Sequence, residues 1–351
     1  MSTPAGGRWW QRTEFWLLLA NLVVYLVVLG LDPQHNFGSA TSLQLLLTET
    51  TMLGIFAIGT TIVILSGGID LSVGTVIAFS SIIFTAMIKS AIPPAELSRT
   101  GVGPGVLVAA TLATLLVSLL IGLLHAALIT GLNLPPFIAT LGTLIGLRSL
   151  ARVISQSLFQ SDKIAVSAKQ FRALYNATWP VSVPLVKDPV LVRWVPLLVF
   201  ALVAIVGMVV MRRTVLGRHL YALGGNEQAA RLSGIRTNRL KFVAYMIGSF
   251  CGGLAGILYA AREGQGNAAN LGIGYELNAI AAAVVGGASL SGGRGTALGA
   301  VLGALIICLI VDAIVVLDLD QNYSQIIVGL VIVAAATLDR WQAVWRRTNA
   351  A

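Results

Sequence analysis

This sequence is short of charge. Asp, Glu, Lys and Arg make up 11% of its 351 residues, against about 25% in a soluble globular domain. Hydrophobic residues reach 56%, and mean hydropathy is +0.86. An ordinary core cannot absorb that surplus, so a bilayer must solvate most of the chain. Cysteine is scarce too. Cys251 and Cys308 both lie in apolar runs, which leaves no disulfide framework and no thiolate metal site. His35, His125 and His219 stand scattered, with no metal-ligand cluster or nucleophile–base pair around them, which argues against an intramembrane enzyme. Acid is scarcer than base, 14 residues against 23, giving a net charge of +9. No basic stretch interleaves aromatics on a soluble module, so that charge does not point to nucleic acid. It fits basic residues gathered in the cytoplasmic loops of a membrane protein.

What is present is a series of long apolar runs, at 15–31, 45–66, 71–92, 105–130, 136–154, 194–211, 242–261, 275–290, 296–317 and 323–338. At about 20 residues per crossing these make about ten spans. Backbone groups in lipid must be satisfied within the segment, which selects helices. The runs lack the polar alternation of membrane-barrel strands. The expected fold is therefore all-α and polytopic. Arg8 and Arg12 precede the first run and no small-residue cleavage site follows it, so it reads as an uncleaved span.

Orientation follows from Lys and Arg. The stretch 212–241 carries seven basic residues against the single acid Glu227, which places it in the cytoplasm. Ten spans then put both termini inside: a tail at 1–14, a membrane domain at 15–339 and a tail at 340–351. The loop 155–193 falls outside. It is basic as well, but long loops weigh less in this rule.

Gly67-Gly68-Ile69-Asp70-Leu71-Ser72-Val73-Gly74 and Gly286-Gly287-Ala288-Ser289-Leu290-Ser291-Gly292-Gly293 share both leading glycines, Leu-Ser and the final glycine. Either this is a faint internal repeat or two Gly-rich turns coincide. Glycine-interrupted apolar segments point to broken helices in transporters. Leu65-Ser66-Gly67-Gly68 and Leu290-Ser291-Gly292-Gly293 spell the core of an ATP-binding-cassette signature, but no lysine follows a glycine, so the phosphate-cradling loop is missing. There is no ATPase here. Within 219–240, Asn226 is placed to cap a short helix, with Glu227 in its first turn and Gly234 closing it. Ala229 and Ala230 would give it a small face, and Glu227 and Arg231 stand i, i+4 apart. Gly248, Gly252 and Gly256, and again Gly295, Gly299 and Gly303, repeat every four residues, a spacing that lets helices pack closely.

The run Asn226-Glu227-Gln228-Ala229-Ala230-Arg231-Leu232-Ser233-Gly234-Ile235 resembles the coupling segment of ribose-type sugar permeases, the membrane subunits of bacterial ATP-binding-cassette importers. Ser66 to Gly74 is similar to that family's other diagnostic stretch, and Ala282 to Gly287 with Gly293-Arg294-Gly295 to a third. The resemblance covers about 45–338. It departs at Gln228, where related importers often have Glu, and in the length of loop 155–193. It implies an inner-membrane permease paired with a second copy or a paralogue. The other partners implied are a cytoplasmic ATPase that holds ATP and Mg and a periplasmic sugar-binding protein. It also assigns ATPase coupling to Asn226, Glu227, Ala229, Ala230, Arg231 and Gly234.

Ionisable residues within spans are functional candidates. Asp312 reads as an internal hydrogen-bond partner or as a pathway residue, and Asp70 as a cap at Ser72 or Val73 or as a sugar contact. With Gly67, Gly68, Gly286 and Gly287 these are the helix-break and pathway candidates. Glu49, Arg148 and Arg152 read as snorkelling or paired near an interface. The competing class is an ion-coupled secondary transporter with Asp70 or Asp312 as its coupling acid.

Overall fold

A computed structural model describes residues 13–32, 36–184, 186–320 and 322–348. Arg8, Arg12 and most of the 1–14 tail lie outside the described residues, as do residues 349–351. In chain order the helices are α1 (Thr13–Leu31), α2 (Ala40–Leu65), α3 (Val73–Ala91), α4 (Pro94–Thr100), α5 (Pro104–Gly131), α6 (Pro136–Phe159) and α7 (Lys169–Asn176). They continue with α8 (Trp194–Arg213), α9 (Val215–Gly225), α10 (Glu227–Leu232), α11 (Thr237–Glu263), α12 (Tyr275–Val285), α13 (Ala297–Val316) and α14 (Asn322–Thr348). The strands are β1 (Lys163–Ala165), β2 (Thr178–Val181), β3 (Val190–Arg193) and β4 (Gln265–Asn267).

Eight helices are long and apolar enough to cross a membrane: α1, α2, α3, α5, α6, α8, α11 and α13. The chain is an α-helical polytopic membrane protein. α2 is buried along most of its length, and α3, α11 and α13 along most of theirs. α1, α5 and α8 lie outside them, with rows of exposed leucine, isoleucine and valine turned outward.

The segment expected to cross at 275–290 differs from that expectation. Its helix α12 has 11 residues, about 16 Å at ~1.5 Å per residue, roughly half a hydrocarbon core. The preceding residues 264–274 are not helical. Gly272 and Gly274 take φ of +74° and +79°. The Asn267 side chain accepts from the backbone N–H of Ala269 and Asn270, both at 3.1 Å, and so competes with helix formation. This irregular stretch runs beside α3. Asn267 N–H donates to Ser81 Oγ at 3.3 Å, and Gly272 packs on the backbone of Gly74, about 10 Å further along the helix. The N-termini of α3 and α12 thereby converge.

The loop expected at 155–193 is folded. α6 continues through Phe159, β1 pairs antiparallel with β4, and β2 pairs with β3 in a hairpin. These short strands depart from an all-α reading and pack on the spans: Arg193 at the end of β3 donates to Thr48 Oγ1 on α2 at 2.9 Å, and Ile164 of β1 is buried against α3. α7 turns Phe171 and Tyr175 inward, and Phe171 meets Phe84 at 5.6 Å between ring centroids. At the other end, α14 continues as helix through Thr348, across residues that the sequence suggested as a tail.

The glycine stripes pack within the subunit. A side chain at Gly299 would strike the Gly286 carbonyl, and one at Gly303 the Ala282 carbonyl, so α13 meets α12 backbone to backbone. Gly252 and Gly256 bring α11 onto α3 at Val76, Ile77 and Ser80. Replacing Gly303 with Leu should lower the yield of monodisperse protein in detergent roughly tenfold, since overpacking costs ~1–3 kcal/mol or more. Gly30→Leu, where nothing lies within 4 Å, should give the normal yield. Equal yields from the two variants would show that α12 and α13 do not need this approach.

Candidate functional site

The segment between α8 and α11 is built by local chemistry. Thr214 caps α9 through Oγ1, which accepts from Gly217 N–H at 3.1 Å. Asn226 caps α10, its Oδ1 accepting from Ala229 N–H at 2.9 Å. The far end closes as a Schellman motif: Ile235 N–H donates to the Ala230 carbonyl at 3.1 Å and Gly234 N–H to that of Arg231 at 3.0 Å. That closure requires Gly234 at φ +83°.

Two side-chain expectations change. Glu227 does not pair with Arg231; it forms an ion pair with Lys241 of α11 at 2.7 Å. The two alanines do not share a face, because Ala230 is buried while Ala229 is exposed. The largest outward feature is one that sequence reading missed. Leu232 is 90% exposed at the end of α10, with Arg231 exposed beside it.

α9 leads into a junction of three glycine stretches. Gly224 packs against the Leu65 carbonyl and the Gly293 amide, so a Cβ there has no room. Gly293 N–H donates to the Leu65 carbonyl at 3.0 Å. Gly292, at φ +85°, faces Gly67, at φ +82°. Tyr221 Oη donates to the Gly295 carbonyl at 2.7 Å. The two similar stretches 67–74 and 286–293 thus meet each other and the end of α9. Gly286 closes α12, and Gly287 is exposed at φ +89°. Beside the junction lies a cavity of about 570 Å³, bordered by Gly67, Gly68, Asn133, Asn226, Glu227 and Tyr245.

The first break, 66–72, is pinned from four sides. Asp70 is 1% exposed, and its Oδ1 accepts from Ser72 N–H at 2.8 Å and Ser72 Oγ at 2.6 Å. His125 Nε2 lies 3.3 Å from Ser72 Oγ and 2.8 Å from Thr143 Oγ1. Ser72 Oγ also bonds Asp70, and Thr143 Oγ1 lies 3.0 Å from the Thr140 carbonyl. His125 Nε2 thus links Ser72 on the break to Thr143 on α6. Leu71 N–H donates to Thr140 Oγ1 at 3.2 Å, and Tyr245 Oη to the Ile69 carbonyl at 3.3 Å. Gly68 is small because the Tyr245 hydroxyl occupies the place of a Cβ. Asp312 stands apart from this cluster; it accepts from Ser42 Oγ on α2 at 2.8 Å.

Half-buried charges also find partners that spacing could not reveal. Glu49 pairs with Arg262 from α11. The Arg262 guanidinium lies over Tyr175 and Tyr259 at 5.8 and 5.9 Å. Arg148 is paired with backbone: its Nη1 donates to the Leu271 carbonyl at 3.1 Å and to that of Ala269 at 3.5 Å.

Comparison with known proteins follows this geometry. Residues 42–336 match the family described as "Branched-chain amino acid transport system / permease component". The chain is 32% identical over 342 residues to the ribose import permease protein of Escherichia coli K12, covering 96% of this chain and 98% of the relative. It is 31% identical over 323 residues to the ribose import permease protein of Haemophilus influenzae, covering 92% of each. It is also 31% identical over 332 residues to the D-allose transport system permease protein of Escherichia coli K12, covering 94% of this chain and 92% of the relative. No solved structure matches the chain. The family implies an ATPase and a periplasmic binding protein as separate partner subunits. This chain belongs to that family, and is a multi-pass permease subunit of the bacterial inner membrane that is not itself an enzyme.

Proposed function

We propose that the chain forms half of the membrane path of a sugar importer, working as a homodimer or with a paralogue. A periplasmic binding protein delivers the sugar, and a cytoplasmic ATPase holding ATP and Mg drives the cycle through α10. The family description names branched-chain amino acids, but the relatives matched over more than nine-tenths of both chains are named for ribose and allose. That favours a monosaccharide or a close polyol.

The topology that suits this reading has ten crossings, with 1–14 and 340–351 inside, the membrane domain at 15–339, 212–241 inside and 155–193 outside. The eight long helices supply eight crossings. Residues 264–285 make a ninth, irregular in its outer half and helical in its inner half, and α14 makes the tenth. One observation carries the coupling role: a capped, charge-bearing helix with an exposed leucine continues through α9 into the glycine junction, where both break stretches meet. A push on Leu232 then acts on Leu65, Gly67 and Gly293 through backbone contacts that have no slack. Of the coupling residues, Asn226 and Gly234 shape the helix, Ala230 seats it, Glu227 ties it to α11, and Ala229 and Arg231 are left to face the ATPase.

Cysteine placed at Ser182 should react with an impermeant thiol reagent added outside intact cells, while cysteine at Ser233 should react only in inverted vesicles. The reverse pattern would overturn the orientation.

Leu232→Asp should leave membrane insertion and thermal stability unchanged, because the side chain touches little. It should weaken capture of the ATPase roughly 10- to 100-fold, the loss expected when one leucine, contributing ~1.5–3 kcal/mol, is no longer buried. ATP-dependent uptake in reconstituted vesicles should fall with it. Normal ATPase capture and normal uptake by this variant would remove α10 as the contact.

A further inference from the structure

The outward faces of the long helices are not alike. Exposed positions of α5 are Val108, Leu112, Leu116, Leu120, Leu123 and Leu124, and those of α8 are equally apolar. Such faces suit lipid. α6 is different: Ser149, Arg152 and Gln156 are exposed among its apolar residues. Arg148 lies about 18 Å from the helix start, near its midpoint, and Arg152 one turn beyond. Lipid excludes a cation at that depth unless it is paired or faces water. Arg148 is held by the Ala269 and Leu271 carbonyls, and Arg152 makes no hydrogen bond or ion pair among the described residues.

The backbone that Arg148 holds is the irregular segment 264–274. There Asn270 is exposed and Ile273 is 62% exposed, so this non-helical chain reaches the molecular surface level with Arg148, at the middle of α6. Non-helical backbone occurs at that depth only inside protein or along a water-filled cavity. Glu276, half-buried in the first turn of α12, adds a carboxylate to the same face.

We infer that the face formed by α6 around Ser149 and Arg152 and by the segment around Asn270 and Ile273 is the wall of the transport path, closed opposite by a second copy of the chain. This rests on the permease reading and adds the lining that the family match does not assign. The wall suits an uncharged polyhydroxylated molecule. Guanidinium N–H groups, the Ser149 hydroxyl and the Asn270 amide offer donors and acceptors to hydroxyl groups. The charges of Arg148 and Glu276 offset one another, leaving one positive charge per copy. Ile273 supplies apolar surface for the face of a sugar ring.

Cysteine substitution followed by labelling with a charged, water-soluble methanethiosulfonate tests the wall in right-side-out and inverted vesicles. The buried native Cys251 and Cys308 set the background. Ser149→Cys and Ile273→Cys should react in at least one vesicle orientation, while Leu116→Cys on α5 and Leu202→Cys on α8 should stay at background. In the assembled importer, Arg152→Gln should lower D-ribose or D-allose uptake at least about tenfold while keeping ATP hydrolysis stimulated by the binding protein. Reactivity at Ser149→Cys and Ile273→Cys no greater than at Leu116→Cys would overturn the assignment, and so would unchanged uptake by Arg152→Gln. The labelling needs no ATPase. If the wild-type complex fails to import sugar while the labelling pattern holds, the importer reading fails and the wall stands.

Discussion

A peptide group in hydrocarbon must find its hydrogen-bond partner within the protein, and the interrupted parts of this structure are organised around that demand. Wherever the helical ladder stops at membrane depth, a named side chain or a neighbouring backbone takes over. At 66–72 the partners are Asp70, Thr140 and Tyr245. At 264–274 they are Asn267, Ser81 and Arg148. At the junction they are the Leu65 carbonyl and Tyr221. A network of this kind resists small displacement, because leaving a buried polar group unpaired costs about 1–3 kcal/mol. The breaks are thus well-defined turns and not loose loops.

Glycine makes the packing around those turns compact. At Gly224, Gly292 and Gly303 the neighbour is backbone, so no rotamer change could make room for a Cβ. Close backbone approach in lipid brings dispersion contacts that long side chains would prevent. Gly224 at the end of α9 packs directly on the Leu65 carbonyl and the Gly293 amide, which are bonded to each other.

Much of this was legible in the sequence, for reasons particular to each residue. The cap at Asn226 and the stop at Gly234 are local, encoded within ten residues, and could be read directly. The break at Gly67-Gly68 was visible because glycines interrupt an apolar run. The family strings identified the class. What escaped reading depends on tertiary placement. A leucine in a leucine-rich chain gives no sign that it stands 90% exposed. Lys241 lies too far along the chain from Glu227 for helical spacing to suggest their pairing. The non-helical entry to α12 was hidden because 275–290 is apolar enough to pass for a full crossing. Arg148 looked like an interfacial residue because its carbonyl partners come from a segment more than a hundred positions away.

The junction also has a consequence for biogenesis. Leu65 is made early, yet its carbonyl receives the Gly293 amide only after roughly 230 more residues have been synthesised, on the order of ten to fifty seconds at ~5–20 residues per second. Throughout that interval α2 and α3 are in the membrane with their turn unfinished. The first break therefore cannot mature by itself, however early its own residues insert. A nascent chain halted before Gly293 leaves the Leu65 carbonyl without that partner, and arrival of roughly the last sixth of the chain supplies it.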